Sequence, residues 1–517
     1  MPDAMSDQSV VPEVLKERAG SKADQLFVEC AGERRTFAEM HERAERIAAG
    51  LAAVGVKKGD RVATILPNCI EHVELIFACA RLGAIHVPVN VFLKGDFLQY
   101  QLHDAAASVV VGDADGLAAV DAVRSRLPDL RFAFGVHHIP TQPAAPPEVE
   151  LAAADTVAIM YTSGTTGMPK GCMIPNGYHT LSPIEANTLL EYGEGDVLYS
   201  ALPLFHGWAR GMLFGALVHG VTAVLDAEFS PGNALARFAE TGATVFSGVG
   251  AMGMALLAQP ESDLDLNHSL RVAFMIPFAP ADEATFSERF GVRVQSNMFG
   301  QTETGAISFT PLSEKGKPGT IGRPAPQYDV RVVDDEDRDV PTGTPGEVIV
   351  RSRVPDVMST GYWNKPDETA EAMRGGWHHT GDLARFDDEG YLTFVDRKKD
   401  AVRRRGENVS SVQLEYAIAA HPKIAEAAIV AVPSAMTEDD IKACIVASEE
   451  VLPEELFDFF REKLPYFAIP RYVEVMSELP KTATMRVQKH LLRSAGVTAT
   501  TWDFESLGLI VAREERR

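Results

Sequence analysis

Apolar positions along the chain fall into short continuous runs and into longer stretches with helical spacing. TFAE, from Thr36 to Glu39, has capping-box spacing. Met40, Ala44, Ile47, Ala48 and Leu51 then recur at helical period before Gly55, which predicts an amphipathic helix with a defined start. RVATIL (Arg61 to Leu66) and AIHVPV (Ala84 to Val89) have the length and texture of buried strands, and a helical stretch ending at Gly83 separates them. The pattern returns in TAVLD (Thr222 to Asp226), the stretch from Asn233 to Glu240, and ATVFSG (Ala243 to Gly248). Helices alternating with strands predict an α/β architecture.

A Pro- and Gly-rich section from Pro311 to Pro326 precedes two alternating runs, YDVRVVD and GEVIVRS, joined by the turn VPTGTPG, and so predicts a smaller β-rich subdomain. Past DRKKD the order becomes helix (Val412 to Ala420), strand (Ala427 to Val432), strand (Ile441 to Ala447), helix (Glu454 to Leu464) and strand (Tyr472 to Met476). This predicts a compact α+β unit. The expected organisation is a large N-terminal domain over 1–396, with the β-rich subdomain at 311–396, and a small C-terminal domain over 397–517.

Composition narrows the function classes. With 517 residues, 46% of them hydrophobic, the chain can bury several cores, and wholesale disorder is excluded. Lys plus Arg is 49 against 72 Asp plus Glu, a net charge of −23, which repels a polyphosphate backbone and argues against nucleic acid as a partner. Cys30, Cys69, Cys79, Cys172 and Cys444 are scattered without a CxxC pair, so a reducing cytoplasm fits better than a disulfide framework or zinc site. The polar, acidic start MPDAMSDQSV lacks the basic and apolar segments of a signal peptide. The longest apolar stretch, Gly211 to Leu225, falls short of the ~20 residues of a spanning helix.

The most informative segment is YTSGTTGMPKGC, Tyr161 to Cys172, which follows the candidate strand TVAIMY. Thr162, Ser163, Gly164, Thr165, Thr166, Gly167 and Lys170 concentrate hydroxyls, backbone N–H groups and one cation where they can surround a phosphate. The spacing is not that of a Walker loop. Read alone, such a run is more often a polar turn between strands.

Six further segments follow it: PLFH (Pro203 to His206), FGQTE (Phe299 to Glu303), WHHTGD (Trp377 to Asp382), DRKKD (Asp396 to Asp400), RGENVS (Arg405 to Ser410) and PKTATMRVQK (Pro480 to Lys489). Together, and in this order, the segments resemble the motifs of the adenylate-forming enzymes: acyl-CoA synthetases, adenylation domains and luciferases. ENVS followed by AAHPKI is most similar to the carnitine and crotonobetaine-type CoA ligases. The resemblance implies activation of a carboxylic acid by ATP with Mg²⁺ to an acyl-adenylate, then transfer to CoA. It also implies roles residue by residue. Lys170 and the cradle hydroxyls would hold phosphates, and Glu303 would help hold Mg²⁺ against them. Phe299, Gly300, Thr302 and Ala279 would surround the adenosine, with Asp382 and Arg397 on its ribose. His206 would lie beside the acyl group. Lys399 would be the hinge about which the C-terminal domain swings between two poses, and Gly406, preceded by Arg405, would line the CoA channel.

The chain departs from the family pattern at its end, where Met485 replaces a glycine and Arg486 replaces the catalytic lysine. Arginine keeps the charge but spreads it over a planar, bulkier group. Losing one well-placed stabilising group costs ~3 kcal/mol, or ~100-fold in rate. The expectation is therefore an impaired or absent adenylation step with thioester formation from a preformed acyl-adenylate retained, which would require a separate adenylating enzyme. PFAP (Pro277 to Pro280), where the family has GGAP, and Arg405, where it has a small residue, also reshape the site. FHGWARGM and SGVGAMGMAL, rich in Gly, Ala and Met, leave volume for a bulky apolar acid, and core packing explains them equally well. A complete ligase, acyl loading of a carrier protein, and a non-catalytic nucleotide-binding protein are the alternatives.

Overall fold

The structure is a computed structural model that describes residues 10–162, 168–398, 400, 402–404, 407–433, 439–464, 468–482 and 486–511, with the backbone alone at 184–190, 403, 404, 407, 408 and 413. Ser163, Gly164, Thr165, Thr166, Gly167, Lys399, Arg405, Gly406 and Met485 lie outside the described residues.

Local signals translate directly into elements. The helix Phe37–Ala53 starts on the anticipated capping box: the Glu39 N–H donates to Thr36 Oγ1 at 3.2 Å and the Thr36 N–H to Glu39 Oε2 at 2.8 Å. Its Met40, Ala44, Ile47, Ala48 and Leu51 are buried as one stripe. The helix Ile70–Leu82 stops at Gly83, whose φ of 63° suits a residue without a Cβ.

Two largely parallel sheets carry the N-terminal domain. The first runs, in spatial order, Arg293–Gln295, Val272–Met275, Val245–Gly248, Val197–Ser200, Thr222–Leu225, Leu26–Cys30 and Glu33–Thr36, antiparallel only at the last pair. The second runs Phe132–Gly135, Val109–Gly112, Arg61–Ile65, Ile85–Pro88, Thr156–Thr162 and Lys170–Pro175, again antiparallel only at its last pair. Helices cover the sheets as βαβ crossovers require. The largest core packs the first sheet against helices, and in it Phe27 stacks on Phe37 at 4.6 Å and meets Phe77 edge-on, and Phe77 meets Phe214. Truncating one of these rings to Ala would cost about 3–5 kcal/mol.

The apolar stretch from Gly211 to Leu225 divides into the end of the helix Gly207–His219 and the strand Thr222–Leu225, with Gly220 at φ 64° making the break. Among the described residues no helix is long and apolar enough to cross a membrane.

The β-rich region is an antiparallel sheet of Tyr328–Val333, Gly346–Ser352, His378–Phe386 and Leu392–Arg397. The small C-terminal α+β domain has its own sheet, Ile424–Pro433, Asp439–Ala447, Tyr472–Met476 and Trp502–Asp503. It also has its own core, which includes Ile418, Ile429, Ile441, Ile445, Leu456, Phe460, Val473 and Phe504. A separate core is the physical condition for a unit to move as a body.

Candidate active site

The site is assembled from strand ends and turns of several elements. Thr156–Thr162 and Lys170–Pro175 form a hairpin whose last described pair is Thr162 with Lys170. Lys170 then extends over the ring of Tyr362, with Nζ 4.8 Å from the centroid. The Tyr362 hydroxyl donates to Glu303 Oε1 at 2.9 Å, and burial, with the neighbouring Glu303 charge, pushes the phenol's pKa up. Lys170 and Glu303, 133 positions apart in sequence, thus share one aromatic neighbour. Glu303 and Tyr362 face a small cavity closed by Ser359, Gly361, Thr369 and His378. Among the described residues no group of three His, Cys, Asp or Glu side chains could hold a metal. A single carboxylate suits Mg²⁺, which takes one or two protein carboxylates and shares its remaining positions with phosphate oxygens and water.

A second hairpin, Met298–Gln301 with Gly305–Phe309, presents Phe299 and Gly300. A Cβ at Gly300 would lie 2.1 Å from the Gly305 carbonyl oxygen, so only glycine fits this close approach. Phe299 is partly buried, 6.2 Å from Phe394. Thr302 brings its Oγ1 within 4.0 Å of the Cβ position of Gly207, which joins the FGQTE turn to the PLFH turn.

Asp382 and Arg397 are directly opposite in the antiparallel pair His378–Phe386 and Leu392–Arg397, and Arg397 Nε lies 3.6 Å from Asp382 Oδ1. The other oxygen, Oδ2, accepts from Gln301 Nε2 at 2.6 Å, and the same amide donates to the Thr380 carbonyl at 2.8 Å. With its NH₂ so committed, Gln301 offers Oε1 to His378 Nε2 at 3.1 Å, which makes Nε2 the protonated nitrogen. Burial lowers the pKa of His378. A carboxylate gripped on one oxygen and faced by a guanidinium on the other is a fixed acceptor and donor pair, as a vicinal diol requires.

His206 is the N-cap of the helix Gly207–His219, and its Nδ1 accepts the Trp208 N–H at 3.3 Å. The proton of the neutral ring is therefore on Nε2. Burial, aided by the charge of Arg486, lowers its pKa to about 4, so at neutral pH it is a neutral donor.

Arg486 comes from the small domain. The Thr482 N–H donates to its carbonyl at 2.8 Å and its own N–H to Thr482 Oγ1 at 3.2 Å, which fixes the backbone on either side of 483–485. The residue is exposed, while desolvation by the surrounding protein and the Arg397 charge lower its pKa and Asp382 partly offsets them. The Arg486 charge is thus felt by His206, and Arg486 in turn feels Arg397 and Asp382. Lys489, the nearest following cation, is committed elsewhere: its Nζ donates to Ser411 Oγ at 2.6 Å and pairs with Glu415 at 2.7 Å.

Ala279 precedes the helix Pro280–Phe290 in extended conformation and is partly buried. The neighbouring glycines correct one expectation. A Cβ on Gly250 would lie 1.9 Å from the Pro277 carbonyl, and one on Gly253 would lie 2.4 Å from Met275 Sδ, so the small residues of SGVGAMGMAL serve close packing on PFAP rather than open volume. Open space lies on the other helix, where a Cβ on Gly211 meets nothing within 4 Å and one on Gly207 reaches only Thr302.

Gln301 and His378 lie inside the quoted segments FGQTE and WHHTGD without having been singled out, because the bonds that matter run between two hairpins. Tyr362 stands outside every segment and carries no sequence signal beyond being aromatic.

Comparison with known proteins agrees with this geometry. The AMP-binding enzyme family model matches residues 15–363, and the AMP-binding enzyme C-terminal domain model matches 413–486. The chain is 34% identical over 468 residues to a feruloyl-CoA synthase of Amycolatopsis sp, covering 89% of this chain and 93% of that protein. It is 32% identical over 493 residues to the crotonobetaine/carnitine–CoA ligase of Salmonella arizonae, covering 90% and 95%. Among solved structures, the o-succinylbenzoate CoA synthetase of Bacillus subtilis in complex with its acyl-adenylate intermediate aligns with a TM-score of 0.85 at 27% identity, covering 94% of this chain and 98% of that one. An anthranilate CoA ligase in complex with anthranoyl-AMP aligns at 0.84 and 26%, covering 95% and 98%. The chain therefore belongs to the AMP-binding enzymes, as an adenylate-forming acyl-CoA ligase.

Proposed function

We propose that this ligase forms acyl-CoA from an acyl-adenylate and CoA, with the preceding ATP-dependent adenylation slowed or lost because Arg486 stands in the position of the catalytic lysine. The reading is supported by the electrostatic influence that Arg397 and Asp382 exert on Arg486 and that Arg486 exerts on His206, which is what a delocalised cation near the meeting point of acyl carboxylate and α-phosphate would produce. Lys489 is held by Ser411 and Glu415 and Lys481 pairs with Glu426, so both lysines of the same segment are engaged elsewhere.

In the complete reaction a carboxylate oxygen attacks the α-phosphorus of ATP and pyrophosphate leaves. Lys170 and the hydroxyls of 162–167 would bind the departing phosphates, and Glu303, held by Tyr362, would share Mg²⁺ with them. The ribose would sit between Asp382 and Arg397, with adenine beside Phe299, Gly300, Thr302 and Ala279. In the second step the CoA thiolate attacks the acyl carbonyl, the C–O bond to AMP breaks and AMP leaves with the electron pair. Neutral His206 would donate its Nε2 proton as a hydrogen bond near that carbonyl. The lid domain, residues 397–517 pivoting at Lys399, would then turn Arg486 out and bring the Gly406 channel in.

A bulky apolar, aromatic acid is the proposed acyl group. The open helix face at Gly207 and Gly211, the partly buried Trp208 between them, and the identity to a feruloyl-CoA synthase support it. A separate enzyme would supply the adenylate, in a reducing cytoplasm that suits five unpaired cysteines.

A paired assay tests the proposal. One arm supplies aromatic acids with ATP, Mg²⁺ and CoA, and the other supplies their synthetic adenylates with CoA. The expected result is acyl-CoA from the adenylates at least ~100-fold faster than from acid plus ATP, with Arg486→Lys restoring pyrophosphate release. Equal rates in the two arms of the wild type would refute the proposal.

A further inference from the structure

Glu347 and Lys398 are not part of the ligand-facing groups, yet they join two of the site's parts. Glu347 lies at the start of the strand Gly346–Ser352, opposite Leu383, and is buried. Its Oε1 accepts the Gly381 N–H at 3.1 Å, the amide adjoining Asp382. Its Oε2 accepts from Lys398 Nζ at 3.0 Å. Lys398 Nζ also pairs with Asp335 at 2.8 Å, and the Lys398 N–H donates to the Gly381 carbonyl at 2.9 Å. Burial pushes Glu347 up, but Lys398 and the Gly381 amide outweigh it and hold the carboxyl below its usual pKa, so both partners are charged at neutral pH. All these partners of Lys398 belong to the β-rich sheet and its turn.

Two residues on, the Asp400 N–H still donates to the Arg397 carbonyl at 2.9 Å, but the side-chain attachment is reversed. Asp400 is buried and receives Arg493 Nη2 at 2.7 Å, from the helix Lys489–Ala495 of the small domain. Position 398 is thus fastened to the large domain by one buried carboxylate, and position 400 to the small domain by an ion pair of its own.

We propose that Glu347 is a positioning residue that mounts the domain hinge on the ribose site: one carboxylate holds the strand beside Asp382 and, through Lys398, fixes the large-domain end of the pivot. This rests on the reading of the chain as a ligase that alternates between two poses. Because all of Lys398's anchors are on the large domain, the mount persists in both poses and confines rotation to the link between 398 and 400. The two oxygens of Glu347 then have separable duties. Losing the Lys398 bond loosens the pivot, and losing the Gly381 bond disturbs ribose binding.

The test compares Lys398→Met, Lys398→Arg, Glu347→Gln and Glu347→Ala by AMP affinity, by hydrogen–deuterium exchange of peptides over 378–384 and 394–404, and by thioester turnover from a synthetic aromatic acyl-adenylate. Lys398→Met and Glu347→Gln, which keeps an acceptor for Gly381, should speed exchange over 394–404 and lower kcat about tenfold, with AMP affinity within about twofold. Lys398→Arg should restore both, and Glu347→Ala should in addition weaken AMP binding about tenfold, the equivalent of one lost hydrogen bond. Unchanged exchange over 394–404 in Lys398→Met, or a loss of AMP affinity in Lys398→Met equal to that in Glu347→Ala, would overturn the proposal. If wild-type protein makes no thioester, the functional reading fails, while exchange and AMP binding still decide the mount.

Discussion

Acid should destabilise the N-terminal domain through a buried relay that no catalytic step uses. Arg210, 1% exposed on the helix Gly207–His219, has no carboxylate among its hydrogen-bond partners. Its Nη1 donates to His86 Nδ1 at 2.9 Å, since a guanidinium can only donate. His86 must then carry its proton on Nε2, which reaches Thr64 Oγ1 at 3.0 Å. Thr64 Oγ1 also meets His72 Nε2 at 3.0 Å, and His72 Nδ1 meets the Pro67 carbonyl, which can only accept, at 3.3 Å. Every hydrogen bond in the chain therefore points one way, and both imidazoles are neutral. Burial, with Arg210 adding to it, lowers the pKa of His72 to about 4 and those of His86 and His179 well below the usual histidine value. The folded pKa lies below the unfolded one, so between about pH 6.5 and 4 the unfolded chain binds more protons and stability falls as pH falls. From pH 7 to 5 His72 alone removes about 2 kcal/mol, against a total of about 5–15 kcal/mol for an ordinary domain. His86 and His179 act in the same direction. Urea unfolding followed by circular dichroism at pH 7, 6 and 5 should show a falling midpoint, and Arg210→Met should reduce that pH slope by removing the charge that adds to burial in lowering the ring pKa values. A midpoint independent of pH between 7 and 5, or an unaltered slope in Arg210→Met, would refute the relay as the acid-sensitive element.

Gln301→Ala should weaken AMP binding by about tenfold, read by titration calorimetry, because Asp382 loses the donor that orients one of its oxygens. Gly250→Ala should lower the melting temperature markedly, since its Cβ would fall 1.9 Å from the Pro277 carbonyl. Gly211→Ala, with nothing within 4 Å, should instead gain about 1 kcal/mol of helix propensity, visible as a higher melting temperature.

What the sequence reveals follows from whether a residue's partner is local. The capping box at Thr36 and Glu39, the helix stop at Gly83 and the alternation of strand and helix all depend on neighbours a few positions away, and each appears where the spacing places it. Asp382 and Arg397 are 15 positions apart, and only the antiparallel register makes them face each other. The relay was illegible because Thr64, His72, His86 and Arg210 each look like an isolated polar residue in an apolar run. Gly250 and Gly253 were legible as small but not as crowded, since a glycine marks either open space or close contact and only the opposing chain decides which.

The same rule bears on the replaced lysine. Lys489 carries the charge that position 486 lacks as a point cation, and sequence distance alone leaves it a candidate to reach back over three residues. Its bonds to Ser411 and Glu415 remove that option, because releasing it would strand Glu415 as a half-buried carboxylate without its cation. Arg486 itself shows no such side-chain bond among the described residues, and it feels Arg397 and Asp382 and acts on His206 instead. On the proposed reading the cation this segment would offer to the adenylate site is a guanidinium, and an ammonium restored at 486 is the smallest change that separates charge from shape.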